Sequence, residues 1–261
     1  MHASARVPVL GRFASDAYSH FFNNARGEHV RLFRGIYPDF PAAARELPAG
    51  RAIGYDNAAS AYRVIDEWLV ISEYDYPIMF WLSKLLPECE LLFDWGGNVG
   101  LKYFAYRKYL SYPESMRWCV SDVPAVVAAG KQVAERESAA QLQFTTTLDE
   151  MTQADILLAA GSLHFIEDPF AALAELSALP RHLLLCKVPA YNQASAVTLH
   201  NMGTSVCPYH LFNRAEFVHK IEQLGYRLVD EWTSAECFCT IPFYPEHSIR
   251  AYSGFYFTRA E

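Results

Sequence analysis

Residues 91–100 read LLFDWGGNVG, an apolar run that stops abruptly on three glycines and an asparagine. Glycine, and to a lesser degree asparagine, are the residues that enter left-handed backbone at low cost. A buried strand that ends on such a turn and leads into a helix is a device of doubly wound α/β folds. There the turn aims backbone N–H groups at a ligand outside the carboxyl ends of the strands. The spacing is G-G-x-x-G rather than the dinucleotide pattern G-x-G-x-x-G, and the next residues, Leu101-Lys102-Tyr103-Phe104, are bulky. Both features weigh against a dinucleotide.

The chain beyond this point alternates in the way such a sheet requires. RWCVSD (117–122), LQFT (142–145), ADILLAAG (154–161) and RHLLLCKVP (181–189) read as strands. KYFAYRKYL, PAVVAAGKQVAERE, FAALAELSAL and AEFVHKIEQL read as helices between or after them. Pro124 suits a first turn, Asp168-Pro169 an N-cap and N1 pair, and Asn213 with Glu216 a cap that Gly225 closes at the other end. Thr147 with Glu150 fits a capping box for a short helix. The last two strands, YRLVDEW and AYSGFYFTR, are joined by TSAECFCTIPFYPEHSIR with no helix, which predicts an antiparallel pair. The segment ASAVTLHNMGTSVCPYHLF reads as a loop.

Upstream, residues 1 to about 60 read as irregular structure with short helices, punctuated by Pro38, Pro41 and Pro48 and by the turn GYDN. Residues 58–86 read as one or two helices interrupted near Pro77. The expected division is a mainly helical cap over 1–88 and a ligand-binding α/β domain over 89–261.

A net charge of −7 and no run of Lys and Arg argue against a nucleic-acid partner. No stretch approaches the ~20 apolar residues of a membrane span. The first residues are free of acids until Asp16, in the manner of a transit sequence, but lack an apolar signal core. A cytoplasmic protein is expected, with its six cysteines free and buried. Cys237-Phe238-Cys239 is the one odd spacing, and with only His247 near in sequence it is short of ligands, so no metal is expected.

The glycine turn is similar to motif I of the class I S-adenosylmethionine (SAM) dependent methyltransferases, acid-x-G-x-G-x-G. Asp94, Gly96 and Gly100 match the acid and the outer glycines, Asn98 stands in the place of the middle one, and Gly97 is additional. The ordered set FRGIYPDFPAA, GYDN, YDYPIMFWL, DWGGNVG, VSDVPAVVAAG and GSLHFIEDP resembles a family labelled methyltransferases and found near surface-polysaccharide and natural-product genes. The resemblance implies a Rossmann-like, mostly parallel seven-stranded sheet with an antiparallel C-terminal pair, carrying an N-terminal, mainly helical cap. It implies SAM as cofactor and a small-molecule or sugar-like acceptor. It places Asp122, followed by Val123, on the ribose, Thr147 and Leu148 near the adenine, and the loop of Gly161 and Ser162 opposite the sulfonium. It leaves open two further readings: a cyclase or lyase that converts SAM to azetidine-2-carboxylate and 5′-methylthioadenosine, and a silent SAM-binding module.

Methyl transfer needs alignment, exclusion of water and, for a protonated nucleophile, a base. His164, at a strand's carboxyl end in the loop facing the sulfonium, is the first candidate base. Tyr76 and Tyr191 are the other catalytic candidates, and Tyr74 is a candidate to face the sulfonium through cation–π contact. Phe80 and Trp81 fit the core of a cap. His200, Asn201, Tyr209 and His210 are expected to be structural or solvated in the acceptor wall, Asp168 a helix cap and Arg214 a surface residue. No G-x-S-x-G elbow is present, so Ser-His-Asp chemistry is not expected.

Overall fold

The computed structural model describes residues 9–27, 29–56 and 70–260. The acid-free first eight residues, Asn57 of the GYDN turn and the first part of the expected 58–86 helices lie outside the described residues. Helix α1 (Val9–Asn24), strand β1 (Leu32–Tyr37), helix α2 (Phe40–Ala44) and helix α3 (Asp75–Leu85) come first. Then follow β2 (Leu91–Trp95), α4 (Leu101–Tyr106), β3 (Arg117–Ser121), α5 (Pro124–Arg136), β4 (Leu142–Thr145) and β5 (Ile156–Ala160). The chain continues through α6 (Pro169–Ala174), β6 (His182–Val188), β7 (Ala190–Tyr191), β8 (Ala196–Asn201) and β9 (Val206–Asn213). It ends with α7 (Arg214–Gln223), β10 (Tyr226–Ser234) and β11 (Tyr252–Arg259).

Seven strands form the main sheet in the order β10-β11-β6-β5-β2-β3-β4. Strands β2 to β6 run parallel, and β11 is antiparallel to both β6 and β10, as the late helix-free connection predicts. All five residues of β2 are buried because both faces of the sheet are covered. Leu92 packs with α3, α4 and α5 on one face, while Leu91 and Phe93 pack with α7 on the other. Truncating a wholly buried Leu92 to alanine would cost about 2–5 kcal/mol. From β2 the chain first moves outward to β3 and β4, then crosses back to β5 on the other side of β2. The turn after β2 and the turn after β5 therefore flank a switch point, where ligands bind in such sheets.

The caps follow the sequence in detail. The Asp168 carboxylate accepts from the N–H groups of Phe170 and Ala171, and Asn213 Oδ1 accepts from that of Glu216. Pro124 stands at N1 of α5. Three details differ. Pro77 lies within the first turn of α3, where a missing N–H costs nothing, so it does not interrupt the helix. Helix α4 ends at Tyr106, and Tyr109 and Leu110 turn back onto the Tyr106 carbonyl. Thr147 caps no helix: a short 3-10 turn, Asp149–Gln153, starts later without a side-chain cap.

The segment read as a loop is a β-hairpin. β8 and β9 pair antiparallel from Ala196↔Leu211 to Asn201↔Val206, with Gly203 turning at φ +81°. β8 also pairs with β1, giving a second sheet of order β1-β8-β9-β7. Residues on both sides of position 88 thus build one sheet, and the N-terminal region holds a strand as well as helices. His, Asn, Cys and Pro hide the period-two pattern here, and packing overrides their low strand propensity. Pro208 is tolerated because β7 reaches β9 only at Phe212 and Asn213, leaving an edge beside it. Phe22 of α1 and Ala43 of α2 cover one face through Val197 and Leu199. Phe33 and Tyr209 meet Cys237, Cys239 and Tyr252 on the other.

Candidate active site

A cavity of about 570 Å³ opens over the switch point. Lining it are Asn98 from the glycine turn, Ala160 at the end of β5 and Gly161 just after it. Tyr74, Lys102 and Lys187 line one wall, the ring cluster of His164, His200 and Tyr209 with Tyr252 another, and Arg31 also lines the cavity.

The glycines of the turn are required by the protein's own atoms. A Cβ on Gly96 would fall 2.3 Å from the Ser162 Cβ, one on Gly97 2.4 Å from the Asp94 carboxyl carbon, and one on Gly100 2.6 Å from a Leu142 methyl. Gly96 and Gly100 also have φ of +75° and +88°. Asn98 adopts φ 56°, the left-handed conformation its place in the motif demands, and its side chain accepts from the N–H of Val99. The turn is pinned from three sides. Gly96 N–H donates to the Ser121 carbonyl, Asn98 N–H donates to Asp122 Oδ2 at 2.9 Å, and Ser162 Oγ donates to the Trp95 carbonyl.

Asp122 accepts a second N–H, from Val123, on Oδ1. Burial pushes its carboxyl up, and the two N–H donors oppose that. Asp94 is fully buried and accepts from Trp118 Nε1 on Oδ2, while Oδ1 has no hydrogen-bond partner. Burial raises its pKa to about 7 against the pull of Trp118 and Lys102.

Lys102 is buried and bonds Asp75 Oδ1 at 2.5 Å, and the Tyr106 hydroxyl donates to the same oxygen. Asp75 Oδ2 accepts from Ser72 N–H, so this buried carboxylate is fully served. Lys102 and Lys187 ammonium groups lie 4.9 and 4.0 Å from the centre of the Tyr74 ring. Lys187 ends up here through a left-handed backbone, φ 55°, near the end of β6.

His164 is 5% exposed, packs its ring 4.3 Å from that of Tyr209, and has an Nδ1 without a hydrogen-bond partner. Burial first, then His200, Arg31 and Lys187, hold its pKa well below the ordinary value, so the ring is neutral. His200 stacks on Phe33 at 4.5 Å, and the Tyr209 hydroxyl donates to that of Tyr252 at 2.8 Å.

The structure thus brings Tyr74, Asn98, Gly161 and His164 to the cavity. Asp122, Val123, Thr147 and Leu148 lie at the ends of β3 and β4, outside its lining. Asp56 reaches this side and accepts from the Ala125 N–H. Two catalytic candidates lie outside the cavity lining. Tyr76 is 63% exposed and lines no part of the cavity, because α3 turns it to the surface. Tyr191 is held away from it by bonds to the Ala194 carbonyl and His247 Nδ1. Phe80 is also exposed, whereas Trp81 packs on the core and donates to Asp230. Asn201 is structural, bonded to the Phe22 carbonyl and to Arg51, and Arg214 pairs with Glu231. The sequence reading missed Arg31, Lys102, Lys187 and Tyr252 and ranked His200 and Tyr209 as structural. For Lys102 and Lys187 a signal existed: each is a lone Lys in an otherwise largely apolar element.

All six cysteines are buried and form no disulfide. Among the described residues no group of three or more His, Cys, Asp or Glu could hold a metal ion, and no helix is long and apolar enough to cross a membrane.

No family model matches the chain, and no curated protein matches its sequence. Solved structures do match. The N-terminal domain of EvdMO1 with S-adenosylhomocysteine (SAH) bound superposes with a TM-score of 0.50 at 14% identity, over 76% of this chain and 85% of that one. The CcbJ methyltransferase from Streptomyces caelestis gives 0.49 at 13%, over 79% and 98%. A 1,6-didemethyltoxoflavin-N1-methyltransferase from Burkholderia thailandensis gives 0.48 at 16%, over 72% and 79%. At such identities the likeness is one of fold. The chain has the Rossmann-like fold of class I methyltransferases, with a mostly parallel seven-stranded sheet and antiparallel C-terminal strands.

Proposed function

We propose that the chain binds SAM and transfers its methyl group to a small-molecule acceptor. The observation that supports this most is the pinned turn of Gly96 to Gly100, with Asn98 opening onto a cavity at the switch point. The shared fold of a domain crystallised with SAH supports the same cofactor. When bound, SAM supplies an electrophilic methyl group on a sulfonium.

The residues fit this group. Asn98 and Gly161 line the cavity; Asp122 lies outside the lining, steadies the turn by accepting the Asn98 N–H, and keeps lone pairs that suit ribose hydroxyls. Tyr74 and the aromatic rings opposite exclude water and present π faces to positive charge. His164, neutral and with a buried Nδ1 that has no hydrogen-bond partner, is the candidate to take a proton from an acceptor hydroxyl or amine once a ligand reaches it. Its low pKa makes it a weak base, suited to an acceptor that is itself acidic. The place of polysaccharide or natural-product biosynthesis belongs to this proposal as the setting in which such acceptors arise.

The test is calorimetry with SAH, followed by incubation with SAM alone. Tight SAH binding that Asp122→Ala weakens supports the proposal, and no SAH binding overturns it. Release of 5′-methylthioadenosine from SAM without any acceptor would replace the transferase with a lyase.

A further inference from the structure

The glycine turn rests on a carboxyl group that the proposed binding of SAM leaves unused. Asp94, on β2, is wholly buried, and a Cβ on Gly97 would fall 2.4 Å from its carboxyl carbon, so the backbone of the turn lies directly upon it. Trp118 Nε1 donates to Oδ2 at 3.1 Å, and Oδ1 has no hydrogen-bond partner among the described residues. One neutral donor is poor compensation for a buried anion, which needs an ion pair or several donors. The nearby ammonium of Lys102 is committed to Asp75. Asp122, by contrast, has an N–H on each oxygen. Burial therefore keeps the proton on Asp94 until the pH approaches about 7.

This carboxyl senses charge in the cavity. Lys102 lines the cavity, and its ammonium favours the ionised form of Asp94. A second cation placed in the same cavity acts in the same sense, and a buried pair is little screened. The other titratable groups within reach are Tyr106 on α4, Tyr112 after it, Cys119 on β3 and Asp122 after β3. Burial holds both phenols and the thiol protonated, with Cys119 pushed up to about 12. Asp122 opposes ionisation of Asp94. SAM and SAH differ by one methyl group and one positive charge, the sulfonium of the first being a neutral thioether in the second.

We propose that Asp94 is a specificity-determining residue that reads the charge on the cofactor's sulfur: it releases its proton to solvent when SAM docks and takes one back from solvent when the sulfur becomes the thioether of SAH. The inference rests on the proposed function for the cofactor. It goes beyond that reading in giving the site a means to prefer SAM to SAH. The anion formed beneath the turn stabilises a sulfonium and gains nothing from a thioether. The SAM complex binds fewer protons than the empty protein, so SAM affinity rises with pH up to about neutrality, whereas Asp94 gives SAH affinity no such dependence.

The experiment is calorimetry of SAM and of SAH between about pH 6 and 8, in buffers of different protonation enthalpy, on wild type and Asp94→Asn. The infrared carbonyl band of the protonated carboxyl follows Asp94 directly. Near pH 7, SAM should displace about 0.4 proton more from wild type than from Asp94→Asn, and SAH less than about 0.1. The ratio of SAM to SAH affinity should rise about fivefold more across this range in wild type than in the variant. Comparison with the variant cancels the titration of Asp122 and of the ligand's own amino group, which both proteins share. The infrared band, absent from Asp94→Asn, should weaken with SAM and persist with SAH. Trp118→Phe, which removes the Nε1 donor to the carboxylate, should move the rise to higher pH. Equal proton release and equal pH dependence in wild type and Asp94→Asn overturn the proposal and leave the cofactor reading standing. A band that SAM leaves unchanged in a protein that binds SAM overturns it as well. If neither SAM nor SAH binds wild type, the cofactor reading itself falls and takes the proposal with it.

Discussion

The wall built by Lys102 and Asp75 is chemically closed, whereas the wall built by His164 and the second sheet is open. On the first, one buried ammonium, one phenol and one backbone N–H satisfy one carboxylate. On the second, a buried imidazole nitrogen has no hydrogen-bond partner, in a residue that lines the cavity. Buried polar groups are nearly always bonded, and those that are not need an explanation. The contrast separates groups that hold the site's shape from groups set to meet a ligand.

The largest effect that can break this contrast is removal of one partner from the closed wall. Lys102→Met leaves Asp75 buried and uncompensated and is expected to cost about 3–5 kcal/mol in urea unfolding. Adding Asp75→Leu should return most of that loss. A single variant as stable as wild type would show that the pair is not what holds this wall.

Next comes Asp94, which shares features of both walls: one oxygen bonded to Trp118, the other without a partner. Its folded pKa, about 7, lies above the unfolded value near 3.8. The folded state therefore binds more protons between these values, and this group's contribution falls as pH rises through that window. Asp94→Asn should match wild type near pH 4 and exceed it by about 2–4 kcal/mol at pH 8. Parallel stability–pH curves for the two proteins would refute the buried, protonated acid.

Asp122→Ala sharpens the comparison on the cofactor side. Losing the acceptor of the Asn98 N–H should weaken SAH by about 1–3 kcal/mol, read by calorimetry, with little change in melting. An unchanged affinity would detach Asp122 from the ligand.

The smallest stability effect is expected on the open wall. His164→Leu removes a buried nitrogen that bonds nothing, so stability should move by less than about 1 kcal/mol in either direction. Turnover, once an acceptor is found, should fall much further. A variant that unfolds would place His164 with the closed wall.

Legibility in the sequence follows the range of the interactions. The glycine turn, the Asp168 and Asn213 caps and the five parallel strands rest on contacts within a few residues or on continuous apolar runs, and they can be read from the chain. Strand β8, with the sequence AVTLHN, cannot, because it is buried on all sides only when β1, β9 and α1 meet it. The same distance hides the site. Arg31, Lys187 and Tyr252 are far apart in sequence and converge only where the second sheet, the end of β6 and the start of β11 meet. Tyr76 shows the converse: it stands next to Asp75 in sequence, but a helix sends neighbours in different directions.

The pairing of β1 with β8 sets an order on biogenesis. Leu32 lies opposite Asn201, so a strand made among the first must wait until most of the chain exists. Such remote pairings are slow to form, because loop closure must precede any reward. On the ribosome the parallel core can assemble while β1 is still unmatched, and the second sheet closes late. A nascent chain stopped before β8 would hold the glycine turn and no second sheet to set against it.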